Sequence, residues 1–506
     1  MTISKTGAAA LALFATSTLA ASPALADDKQ PSAFIQCDGR TGHVSGGESF
    51  MRLLLVTATA GISEAGMSKD DASKRVKGAG GVTVCDQAIA SEGDAYRRIQ
   101  LGLAKSLHYG EDKRWLEAAA AARAAPTLTT KADWGLEKSS TGTARFLEAA
   151  YLVRAGKIDQ AESVAWDGVR VTGMDVITLQ RMSRFISLSR TITPEKRAAM
   201  EMMRRYYPDS GMRVGNAYAE AGDYAAAADS VRGIEASFNA FLKEPTTVSI
   251  PHSLLATYAA MSGDVPKAKS ELAVAKAALE KDRAKGEAAS DPSGFAARED
   301  AEAFAEAAIA QASGNSAEAA KLLSARGSWP TMPAGLVARL VGKVAPQIPE
   351  KERMGVVAKG EDALWKEALD ARLAVMDNAD KDSGLWSLTG LFAQDVNFQR
   401  LASQALTGTT AKPKWLVKAK EPRDFDIITS GYAFQGWESG EGILYHAALI
   451  AQQRGKQGFV ILPKRTAIDM IIVRFVNPGE LGIPSSSIVM AGDVIAALSP
   501  HIQQAR

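Results

Sequence analysis

Two cysteines, Cys37 and Cys85, and five histidines scattered over separate segments are all that this chain of 506 residues offers to a soft metal ion. No His-x3-His or Cys-x2-Cys spacing gathers them on one helix face or loop, so neither a metal site nor a cofactor is expected. A Gly-x-Ser-x-Gly elbow, a glycine-rich loop ending in Lys-Ser/Thr and a dinucleotide fingerprint are missing as well, which removes the usual sequence grounds for hydrolase, nucleotide or nicotinamide chemistry. Neither sign of charge dominates. The formal net charge is +2 with 23% charged residues, and the interspersed lysines, arginines and carboxylates give no footprint for nucleic acid or an anionic membrane. The one local basic cluster, Lys412, Lys414, Lys418 and Lys420 around Trp415, reads as a solvated linker.

Long apolar runs are also absent beyond the first residues. There, Lys5, the apolar stretch Ala8 to Ala15 and Ala24-Leu25-Ala26 before Asp27 have the order of an export signal, residues 1–26. Thr16, Ser17, Thr18, Ser22 and Pro23 interrupt what a membrane anchor would keep apolar for about 20 residues. The mature protein is therefore expected in the periplasm, with no membrane span once the signal is removed. In an oxidising compartment an even cysteine pair is read as a disulfide. A Cys37–Cys85 bridge would stabilise its region by about 4 kcal/mol. Residues 27–125 then form a disulfide-stapled helical cap. Within it Glu48 to Met67 carries a helical apolar face through Phe50, Leu54, Thr57 and Ile62. Gly78-Ala79-Gly80-Gly81 is expected to turn before Val82 to Cys85, and helix resumes from Asp86 to Ala125, where Pro126 stops it.

What the chain has in quantity is alanine and glycine at fixed offsets. Gly215, Tyr218, Gly222 and Ala227 stand at positions zero, three, seven and twelve of one unit. Ala149, Leu152, Gly156 and Ala161 repeat the spacing, as do Ala256, Ala259, Gly263 and Ala268, and Ala307, Ala310, Gly314 and Ala319. The pattern predicts a helix, a left-handed glycine turn and a second helix packed closely through small side chains. Asp223, Asp264 and Asn315, each directly after its glycine, suit the cap of the second helix. Asp159, Gln160 and Glu162 read as a solvated face, and Lys281 to Gly294 as a long loop.

This spacing resembles tetratricopeptide repeats, although the regular 34-residue period of that family does not hold. The resemblance implies an α-solenoid over residues 126–406 that mediates protein–protein contacts, and an inner groove lined by the first helix of each unit. In that register the groove residues are Met212, Asn216 and Glu220, then Thr257 and Met261, then Phe304, Ala308 and Gln311. Asn216 fits one position of the clamp with which some members hold an acidic C-terminus, but Met212 stands where its lysine belongs. The expected partner is an apolar or helical segment of a cell-envelope protein, or the chain's own C-terminal part.

Leu336 to Val344, Met354 to Met376 and Leu385 to Ala405 continue as helices with Trp365 and Trp386 in the core, and residues 407–423 form a linker. From 424 to 506 the composition changes to strand, helix, three strands and helix, a small two-layer α+β domain. Leu444, Ala447, Ala448, Arg454, Gly455, Phe459 and Val460 resemble a small domain of uncharacterised bacterial envelope lipoproteins, a resemblance that brings no activity with it. The chain is thus expected to be mainly α, a repeat solenoid followed by this domain, and to act as an exported scaffold. The alternative is an enzyme or carbohydrate-binding protein using the C-terminal domain, where Asp424 with Asp426 and Glu438 with Glu441 are the candidate acid–base pairs. His446, beside the apolar face of its helix, reads as a satisfied or exposed structural histidine.

Overall fold

The computed structural model describes residues 31–40, 72–130, 134–242, 247–379, 385–386, 425–429, 440–463 and 470–504. The export signal, the Glu48 to Met67 helix, the 407–423 linker with its lysine cluster, Asp424 and Glu438 lie outside the described residues.

The N-terminal bundle is built from α1 (Ala33–Asp38), α2 (Gly78–Ser91), α3 (Ala95–Glu111) and α4 (Trp115–Ala124). Cys37 on α1 and Cys85 on α2 are joined in a disulfide, with their Cα atoms 4.8 Å apart. Asp38 pairs with the buried Arg97 of α3. The expected turn at Gly78 to Gly81 is the first turn of α2 instead. Glycine is needed there for proximity, because a Cβ on Gly81 would stand 2.4 Å from His108 Nδ1 of α3.

Four helix pairs follow the spacing of the sequence units, with connecting helices between them. α5 (Trp134–Arg154) and α6 (Ile158–Thr172) form the first, and α7 (Val176–Met182) and α8 (Pro194–Tyr206) intervene. α9 (Gly211–Ala221) with α10 (Tyr224–Asn239) and α11 (Ser249–Met261) with α12 (Val265–Ala284) are the next two. After the short α13 (Glu287–Ser290), α14 (Pro292–Ala312) and α15 (Ser316–Ser324) form the fourth. Each turn glycine is left-handed: Gly156 at φ 71°, Gly222 at 90°, Gly263 at 87° and Gly314 at 80°. After each glycine the next amide bonds back to the carbonyl five residues earlier, as Asp223 does to Tyr218 at 2.9 Å, so the orphan carbonyls of the first helix are satisfied. Asp223, Asp264 and Asn315 accept from Ala226, Lys267 and Glu318 amides at 3.1–3.2 Å. The expected loop over Lys281 to Gly294 is corrected to helix on both sides of a brief break. Gly286 is left-handed at φ 79°, and Asp291 caps α14 ahead of Pro292. The breaker residues stop one helix and start another, which needs no long loop.

α16 (Ala334–Val344), α17 (Gly355–Lys359) and α18 (Glu361–Ala379) follow, and of the helix expected from Leu385 to Ala405 all but Leu385 and Trp386 lies outside the described residues. The C-terminal part comprises β1 (Phe425–Thr429), α19 (Gly440–Gln453), β2 (Gly458–Ile461), β3 (Met470–Val476), β4 (Val489–Met490) and α20 (Ala491–Gln504). Its antiparallel sheet has the order β1-β3-β2-β4, in which β4 contributes two residues. The near-continuous apolar run of β3 is explained by cover on both faces. Phe459 and Phe475 join the core shared with α19, while Val460 and Val476 pack with Ala240 beyond the end of α10. One contiguous apolar core extends from Ile99 to Leu498, so the C-terminal sheet and the helices share their interior. No described helix is long and apolar enough to cross a membrane.

Candidate functional site

The groove predicted along α9, α11 and α14 is not open. Glu220, Thr257, Met261, Phe304 and Ala308 are buried, and Met212, Asn216 and Gln311 are half-buried. The chain supplies its own cover. α16 needs to bury Leu336, Leu340, Val341 and Val344, and it lies against α9, α14 and α15. Its polar residues satisfy the helix ends beneath: Arg339 Nε donates to the Glu220 carbonyl and Lys343 Nζ to the Met261 carbonyl, both at 2.7 Å. The Glu220 carboxylate accepts from the Gly335 amide at 3.3 Å and pairs with Arg372 of α18. Burial pushes its pKa up, against the opposing pull of Arg372. The eight groove residues are thus buried or half-buried, and α16 meets its apolar demand against α9, α14 and α15.

An accessible recess lies instead between α6 and α8, a cleft of about 820 Å³. Its floor holds a buried ion pair: Lys196 Nζ of α8 is 2.8 Å from Glu162 Oε1 of α6. Ser189 Oγ donates to Glu162 Oε2 at 2.7 Å, and Lys196 donates also to the Ser189 carbonyl at 3.0 Å. Burial pushes Glu162 up and Lys196 down, the direction expected when two charges leave water together. Glu162 is therefore no solvated face residue, which corrects the sequence expectation. Its burial follows from Lys196, wholly enclosed on an otherwise charged helix start, Pro194-Glu195-Lys196-Arg197, that gives no local sign of pointing inward. The cleft wall includes Trp166, buried, whose indole nitrogen has no hydrogen-bond partner, together with Met202, Val169 and Ala199. Ser163, Thr191, Glu195 and Ala198 are exposed at its rim.

Of the acid–base candidates of the C-terminal part, Asp424 and Glu438 lie outside the described residues. Asp426 sits within β1 opposite Val473 of β3, and Glu441 is buried and paired with Lys138 of α5. That pair belongs to a junction in which Trp134 stacks on His501 with ring centroids 3.9 Å apart. At a second junction Ser486 donates to Asp229 at 3.0 Å, and a Cβ on Gly233 of α10 would stand 2.4 Å from Ser487 Oγ. His446 is buried, and neither ring nitrogen has a partner, so it is neither satisfied nor exposed. Its burial holds its pKa below the usual histidine range. His252, by contrast, lies 3.4 Å from Glu235 and 2.7 Å from Glu271. Its pKa is raised, first through the hydrogen bond to Glu235.

No family model, curated protein or solved structure matches the chain.

Proposed function

We propose that the chain is an exported scaffold of the bacterial envelope, built of tetratricopeptide-like hairpins in a solenoid, that docks a protein or peptide partner. The observation that carries this reading is the fourfold recurrence of one hairpin design, in which a left-handed glycine closes the first helix and, in three of the four, Asp or Asn caps the second. Such units bury their faces only by stacking and leave extended surfaces for partners. Because α16 occupies the inner side, the α6–α8 cleft is the docking position, with an apolar wall for an anchor side chain and a polar rim for the partner's backbone.

Crosslinking in the envelope followed by affinity capture tests this. The wild-type chain should retain a discrete partner that a Ser163→Arg/Ala198→Arg variant, altered only at the exposed rim, loses at least tenfold. Equal recovery of every crosslinked protein by both chains would reject docking in the cleft.

A further inference from the structure

We infer that Cys37, Cys85 and His108 form a site for a thiophilic divalent cation, zinc above all, in the chain whose disulfide is open. The three residues come from α1, α2 and α3 and are all buried, and one ligand atom from each lies within 4.8 Å of the other two. No sequence spacing announces them, because the fold and not a local motif brings them together. Two thiolates and one neutral imidazole balance a divalent charge while offering the soft donors that zinc prefers. In a dry pocket that balance decides whether a cation can enter at all.

One ring nitrogen of the histidine already has the carboxylate partner that a ligand needs, and the other faces the chain of Cys37. His108 Nδ1 is 3.0 Å from Glu111 Oε2, and Nε2 lies at Cys37 itself, 2.7 Å from its carbonyl oxygen. A carboxylate on one ring nitrogen is the arrangement that fixes the ring of metal-bound histidines, and in the open chain Nε2 exchanges its hydrogen bond to the Cys37 carbonyl for the metal. Glu111 is anchored in turn by the Gly78 amide at 3.0 Å. The absent side chain of Gly81 makes the space for the ring, since a Cβ would meet Nδ1. Trp386 closes the outer side, edge-on to His108 at 5.0 Å between centroids.

Disulfide and metal exclude each other, because the same two sulfurs serve both. Opening the bridge takes two electrons. With a phosphine and water, the S–S bond breaks, two thiols form and the phosphine leaves as its oxide. The cation then displaces both thiol protons and makes two metal–sulfur bonds and one bond to the imidazole. The metal ties α1 to α2 and α3 where the disulfide had tied α1 to α2.

The test uses the full chain, phosphine-reduced under nitrogen and titrated with Co²⁺ and then Zn²⁺. The expected result is one Co²⁺ per chain with thiolate-to-cobalt charge-transfer absorption, displaced by Zn²⁺, and no binding to the oxidised chain. Glu111→Gln should weaken Zn²⁺ by about 10–100-fold, and His108→Ala by at least as much. A measurement free of variants is the alkylation rate of the two thiols in the reduced chain, which Zn²⁺ should slow at least tenfold. Unslowed alkylation, or equal affinity in the urea-unfolded chain or in His108→Ala, would overturn the site.

Discussion

Arg372 of α18 pairs with the buried carboxylate of Glu220 at the end of α9, 152 residues earlier in the chain. The same guanidinium donates to the Ser187 carbonyl at 2.7 Å, so one side chain fastens α18 to two earlier segments. Removing Arg372 leaves Glu220 buried with only the Gly335 amide as a partner, a loss of about 3 kcal/mol on the scale of broken buried pairs. Arg372→Met should lower stability in urea by that amount, and α18 should exchange its amide hydrogens faster than α9 does.

Glu220 also sets a pH dependence. Its folded pKa lies above that of the unfolded carboxylate because burial disfavours the charge. The folded state therefore binds the proton more tightly, and the contribution of this group to stability is greatest in acid and declines as pH rises from the ordinary carboxylate range through the raised folded value. Glu220→Gln removes that titration. Plotted against pH, the stability of the variant relative to the wild type should rise across this window, and a flat difference would show that burial does not govern Glu220.

His446 gives the opposite sign. Its pKa is depressed in the folded chain, so its contribution is complete above the unfolded histidine value of about 6.5 and is lost as pH falls below it. His446→Leu replaces two unbonded buried nitrogens by a side chain that needs no partner. The variant should be more stable than wild type by about 1 kcal/mol at neutral pH and by more at pH 5.5, as read from guanidinium unfolding at the two values.

The turns of the helical array were legible in the sequence for a local reason. Gly156, Gly222, Gly263 and Gly314 act through backbone angles, and Asp223, Asp264 and Asn315 through amides three residues ahead, so every partner lies within the same few residues. Strands β2 and β3 were legible likewise, through continuous apolar runs. What covers the groove was not, because the matching of α16 to α9 depends on residues more than a hundred positions apart. Nor was the Glu162–Lys196 pair, since both residues sit in stretches whose neighbours face water. Gly78 to Gly81 misled for a related reason: glycine marks close approach as readily as a turn, and only His108 on another helix tells the two apart.

The junction between α10 and the C-terminal sheet makes Gly233 a sharper test than a turn glycine. Replacing a mid-helix glycine by alanine ordinarily gains about 1 kcal/mol, yet here the new methyl would press on Ser487 Oγ, an overpacking cost of about 1–3 kcal/mol. Gly233→Ala alone should therefore be neutral to destabilising, whereas in a Ser487→Gly background the same change should stabilise. A double-mutant cycle in urea should give a coupling of about 1–2 kcal/mol, and additivity would mean that the two segments do not touch.

The floor of the α6–α8 cleft separates stability from docking. Lys196→Met leaves the Glu162 carboxylate buried with Ser189 alone as donor, which costs about 3–5 kcal/mol. Adding Glu162→Gln removes the stranded charge, and the double variant should recover most of that loss in urea unfolding. The cleft rim is untouched in this double variant, so its crosslinked partner should stay bound. A stable double variant that had nonetheless lost the partner would assign the buried pair itself to recognition, since Ser163 and Ala198 would then be bystanders at the mouth.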